Sequence, residues 1–93
     1  FQGFAEKRST TTIELQFTEK SKTMEQLDEF FTLNDIVVQK IEFTTDGQET
    51  FQNQPVFQAF YTITVNRAIE LPTVFKRLMM RETILQAKPA DDE

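Results

Sequence analysis

The chain is 93 residues long, 39% hydrophobic and 27% charged, and its 15 acidic against 10 basic residues leave a formal net charge of −5; such a chain folds as one small domain, and its negative balance argues against nucleic-acid binding, which needs a positive field against phosphate. It has no Cys, which excludes a disulfide framework, a thiolate nucleophile and a cysteine metal site, and no His, which removes the commonest general base and zinc ligand. No enzymatic activity, cofactor or metal site is therefore expected, and no segment approaches the roughly 18 apolar residues needed to cross a bilayer.

At the amino end, Phe1-Gln2-Gly3 matches the last residues of a common tag-removal protease site, and residues 1–9 read as tag remnant and linker. Phe4-Ala5-Glu6-Lys7-Arg8 has no initiator Met, as expected of a domain cut from a longer protein. Ile13, Leu15 and Phe17 alternate with Thr12, Glu14, Gln16 and Thr18, which predicts a first strand over 10–18 with one buried face. Thr23 and Gln26 form a capping-box signature, Met24, Leu27, Phe30 and Phe31 share one helical face, and Asn34 suits the left-handed residue that stops a helix. A helix over 24–33 follows. Residues 36–43 are β-branched and aromatic, with Val37, Ile41 and Phe43 at one parity, and predict a second strand at a sheet edge, ended by Asp46-Gly47.

Residues 48–55 are polar and Gln-rich, too many for a tight hairpin, and predict a mobile loop. Phe57, Ala59, Tyr61, Ile63 and Val65 then alternate with Gln58, Phe60, Thr62 and Thr64, the pattern of a strand in the middle of a sheet. Pro72 suits a first helical turn, and Leu71, Val74, Phe75, Leu78 and Met79 fall at helical spacing, predicting a helix over 72–81 with Lys76, Arg77 and Arg81 toward water. Residues 83–87 supply a short fourth strand that Pro89 ends, and 89–93 form a polar acidic tail. Ten Phe and no Trp predict a Phe-rich core.

The order strand, helix, strand, strand, helix, strand predicts an α+β ferredoxin-like βαββαβ sandwich, an antiparallel sheet with both helices on one face. RNA-recognition domains share this order, but their aromatics lie in a basic, glycine-containing strand motif, whereas Phe57-Gln58-Ala59-Phe60-Tyr61-Thr62-Ile63 has neither. Three clusters have sufficient structural readings. Met79 continues the apolar stripe and Met80 adjoins it, so both read as packing rather than a soft-metal site. Lys76, Arg77 and Arg81, with Arg67, read as helix-dipole partners before they read as an anion patch, and Glu25, Asp28 and Glu29 as early-helix acids rather than a cation cage.

Thr10-Thr11-Thr12-Ile13-Glu14-Leu15-Gln16-Phe17, the capped helix closing at Asn34, Val37-Val38-Gln39-Lys40-Ile41-Glu42-Phe43, and Tyr61-Thr62-Ile63-Thr64-Val65 before the stripe at 71–78 together resemble an ACT-like domain over residues 10–88. More narrowly, the pattern resembles the soluble C-terminal domain of MgtC/SapB membrane proteins. That resemblance implies a non-enzymatic accessory or regulatory domain at the cytoplasmic face of a bacterial membrane, an N-terminal multi-helix membrane part outside this chain, and a link to magnesium homeostasis. Amino-acid-sensing ACT modules place a Gly in the turn after strand 1, where backbone approaches ligand, but this chain has Glu19-Lys20-Ser21-Lys22. A ligandless, protein-contacting version is expected; an amino-acid sensor and a regulatory domain of a transporter ATPase are the alternatives. The expected partner is protein, either its own membrane part or a second copy in a homodimer. By strand parity the face away from the helices carries Phe60, Thr62, Thr64, Glu14 and Gln16, with Thr12 and Gln58, and Phe60 is its candidate self-association anchor.

Overall fold

The computed structural model describes residues 7–90; the expected tag remnant at 1–3 and the tail at 91–93 lie outside them. The elements are β1 (Arg8–Phe17), α1 (Lys20–Leu33), β2 (Val37–Phe51), β3 (Gln54–Asn66), α2 (Leu71–Met79) and β4 (Ile84–Pro89). The strands form one sheet in the order β2-β3-β1-β4, every neighbouring pair antiparallel. This is the ferredoxin-like βαββαβ plan, with β3 central and β2 at an edge.

One face of the pleat makes the core. Ile13, Leu15 and Phe17 of β1 and Ala59, Tyr61, Ile63 and Val65 of β3 are buried together with Leu27, Phe30 and Phe31 of α1 and Val74 and Leu78 of α2. Each large apolar side chain buried in this way stabilises the fold by roughly 1.5–3 kcal/mol relative to exposure. The expected phenylalanine weight is real: Phe17 packs edge-on against Phe43 and stacked on Phe57, with centroids 6.4 and 6.2 Å away.

Helix α1 departs from its predicted ends. It begins at Lys20, with Glu19 at its N-cap in the left-handed region (φ 52°) and no side-chain cap bond. Thr23 and Gln26 therefore form no capping box. Thr23 lies inside the first turn, fully buried, and its hydroxyl donates to the Thr18 carbonyl at 2.6 Å. With the start moved forward, the first turn contains no acid, so Glu25, Asp28 and Glu29 gain little from the dipole. Asp35 (φ 57°), not Asn34 (φ −101°), is the left-handed residue at the far end. The Ile36 amide donates to Phe31 and the Asp35 amide to Thr32, the paired bonds of a Schellman motif, and Asn34 Nδ2 donates to the Phe30 carbonyl at 2.8 Å.

The segment 48–55 is not a loop. β2 and β3 continue as one hairpin to Phe51↔Gln54, turning through Gln52 and Asn53, whose positive φ values (52° and 67°) make the primed turn that matches strand twist. Register shifts at Val38/Lys40, Phe43/Thr45 and Asp46/Glu49 bend β2 along its length. The first overturns the expected parity: Val38, opposite Ile63, packs against the core, while Val37, opposite Thr64, is 47% exposed. At the third, Gly47 adopts φ +94°, and a Cβ there would meet Phe57 Cε1 at 3.3 Å. Lys20 Nζ lies 4.4 Å from the Phe43 ring centre and 3.1 Å from Asp46 Oδ1, fastening the start of α1 to β2.

Helix α2 has Pro in its first turn and basic Lys76 and Arg77 in its last, as the dipole favours. Met79 is not core: it is 45% exposed and Met80 82%. Arg81 does not extend into water but is half-buried with its guanidinium 5.5 Å from the Phe30 ring centre. β4 runs through Pro89, opposite Ile13. An edge strand tolerates a residue without an amide hydrogen, and pairing continues with the Ala90 amide donating to Thr12.

Candidate functional site

The face of the sheet opposite the helices gathers all five sequence-predicted residues. Across β1 and β3 the register sets Thr10 beside Thr64, Thr12 beside Thr62, Glu14 beside Phe60 and Gln16 beside Gln58. β2 extends these rows with Val37 opposite Thr64, Lys40 opposite Thr62, Glu42 opposite Phe60 and Thr45 opposite Gln58, and β4 adds Lys88 opposite Glu14 and Gln86 opposite Gln16. Phe60 therefore sits between two glutamates, while Thr62 and Thr64 sit in hydroxyl pairs.

Most polar groups on this face are bonded to one another. The hydroxyls of Thr10 and Thr64 are 3.1 Å apart and those of Thr12 and Thr62 3.3 Å apart. Gln39 Nε2 donates to Thr64 at 3.1 Å, and Gln58 Nε2 donates to the Glu14 carboxylate. Groups already satisfied by neighbours lose less when a partner displaces water, so a polar face of this kind can be covered at modest cost. Its apolar surface comes from Phe60, half-buried at the centre, and from Val37, exposed beside Thr64 at the edge.

A second region lies where β1 passes into α1. The Thr18 amide donates to the Thr83 carbonyl at 2.9 Å, and the Thr23 and Thr83 hydroxyls are 2.7 Å apart. Since Thr23 spends its only proton on the Thr18 carbonyl, Thr83 supplies the proton between the two hydroxyls. All three threonines are buried. Sequence reasoning missed this knot, because three ordinary threonines on three elements carry no pattern that joins them. Above it, a cavity of about 230 Å³ opens beneath the hairpin tip, bordered by Glu19, Glu82, Phe51 and Leu85, and among the described residues no basic side chain lines it.

Elsewhere, burial, with the Asp28 carboxylate adding to it, pushes the Tyr61 phenol up to about 12. Among the described residues no three acidic, His or Cys side chains converge on a metal position, and no helix is long and apolar enough to cross a membrane.

No protein-family model matches the sequence, and no curated protein matches it. Solved structures do share its architecture. The crystal structure of the ACT domain from GTP pyrophosphokinase of Chlorobium tepidum superposes with a TM-score of 0.65 at 13% identity, covering 90% of this chain and all of that one. The solution NMR structure of the same domain gives 0.62 at 13% identity, covering 92% and 90%. The chain has an ACT-like fold.

Proposed function

We propose that this chain is a non-catalytic regulatory domain that works through protein contacts of its sheet rather than as an amino-acid sensor, in the manner of the soluble domain of MgtC/SapB membrane proteins that it resembles. The observation that carries the reading is the junction of β1 and α1. The Thr18 amide and the Thr23 and Thr83 hydroxyls are consumed by their mutual bonds, and the cavity above them offers Glu19 and Glu82 but, among the described residues, no cation to receive an amino acid's carboxylate. The open face, with Phe60 among satisfied polar groups, is the surface left for a partner.

The same reading places a multi-helix membrane part before this domain, at the cytoplasmic side of a bacterial membrane, and ties the whole to magnesium homeostasis. An upstream reading frame with several apolar segments of about 20 residues is what it expects; a frame without them removes the membrane part of the proposal. For the domain itself, thermal melts with each amino acid and sedimentation of wild type against Phe60→Glu test the contact. Unchanged melting and a dimer that Phe60→Glu dissociates are expected. A melting point raised by any amino acid makes the domain a sensor, and a monomeric wild type or an equally dimeric variant clears Phe60 of the role.

A further inference from the structure

Arg81 is a cation partly withdrawn from water. Its Nε is buried with no hydrogen-bond partner, and no ion pair among the described residues includes it, although Glu82 adjoins it in sequence. Its guanidinium lies over the Phe30 ring instead. Removing part of a guanidinium from water without pairing it is costly, and an anion met by its terminal nitrogens would offset that cost.

The surroundings match that chemistry. Arg81 lines a groove of about 330 Å³ between the first half of α1 and the segment joining α2 to β4, with Lys22 and Gln26 on one wall and Met80, Glu82 and Thr83 on the other. Lys22 and Arg81 outnumber Glu82, in a chain whose overall charge is negative. Lys22 pairs with Glu19 at 3.6 Å, both side chains well exposed, a pairing weak enough to yield. A guanidinium presents a planar fork of N–H donors suited to the two oxygens of a carboxylate or phosphate, and the Gln26 amide adds donors of its own. Met80, almost wholly exposed, gives an apolar wall for a short carbon body.

We propose that this groove binds a small oxyanion, a carboxylate or phosphate group held by the Arg81 fork with Lys22 and Gln26. The site goes beyond the regulatory reading above and lies on the helix side, away from Phe60, so neither stands or falls with the other. Amide and arginine side-chain NMR shifts of the whole chain, titrated with inorganic phosphate and separately with acetate at constant ionic strength, test it. Saturating shifts are expected at 22–26, Phe30 and 80–83, and the stronger of the two ligands identifies the group preferred. Arg81→Gln should weaken binding by about tenfold or more and Lys22→Gln, at an exposed position, by severalfold, while Lys76→Gln, outside the groove, leaves it unchanged. Arg81→Lys, which keeps the charge but loses the fork, should also weaken it. Shifts that grow linearly without saturating, that survive Arg81→Gln and Lys22→Gln, or that fall equally with Lys76→Gln overturn the proposal.

Discussion

The hydroxyl of Thr23 lies 2.7 Å from that of Thr83, so the first turn of α1 is bonded to the residue ahead of β4, sixty positions along the chain. With the Thr18 carbonyl as second partner, this buried pair locks three elements at one end of the sheet.

Thr23→Val keeps the shape of the side chain and deletes the hydroxyl, leaving the Thr18 carbonyl and the Thr83 hydroxyl short of partners. Loss of about 1–3 kcal/mol in urea unfolding is expected, with less for Thr23→Ser, which keeps the bonds. The double variant with Thr83→Val should cost clearly less than the sum of the single changes; simple additivity means that the two hydroxyls act independently.

Tyr61 sets an alkaline limit. Its folded phenol titrates at about 12 against an ordinary 10, so its contribution is fully present below pH 10. As pH rises from there, the unfolded chain gives up its proton first, and stability falls by an amount on the order of 2 kcal/mol until the folded phenol also ionises near 12. Tyr61→Phe should flatten that part of the stability profile. Asp28→Asn should bring the phenol's titration down, since one of the two causes of the shift is removed. An unchanged slope in Tyr61→Phe assigns the alkaline loss to other groups.

The hairpin makes opposite demands at two positions. Gly47→Val places a branched side chain at φ +94° and against Phe57, and should cost at least about 1 kcal/mol. Replacing Gln52-Asn53 by Asn-Gly suits the positive φ at both positions and should raise stability by roughly 0.5–1 kcal/mol. Thermal melts decide both; a stabilised Gly47→Val would show that β2 does not need this bend.

Magnesium should bind only as diffuse charge requires. Calorimetric titration in physiological salt is expected to show no saturable site tighter than about millimolar. A one-to-one site below that would bring back Glu25, Asp28 and Glu29, or the acids at 91–93.

The period-two and helical rhythms of the sequence were enough for the element order, the sheet plan and the face carrying Phe60, because burial of alternating side chains dictates all three. They failed where backbone geometry decides. Thr23 and Gln26 have the spacing of a cap, yet the helix continues through them to Lys20, since Thr23 is held by bonds to Thr18 and Thr83 that no local pattern announces. The hairpin tip is paired by main chain, which polar side chains such as Gln48, Gln52 and Gln54 neither advertise nor prevent. The shift between Val38 and Lys40 exchanged the faces of Val37 and Val38 because one extra residue inverts parity. Helical spacing directs Arg81 toward water, but α2 stops at Met79 and the turn that follows redirects it over Phe30.

The strand order also has a consequence for how the chain is made. β2 and β3 meet through a two-residue turn and can pair as soon as both have left the ribosome, whereas β1 lies between β3 and β4 and waits, first made and last enclosed. Until β4 arrives, one rim of β1 is an unpaired template with Ile13, Leu15 and Phe17 along it, the kind of rim on which chains join one another. The six residues of β4 are thus its seal: synthesis that stops short of Ile84 releases a three-stranded sheet open to a second nascent chain.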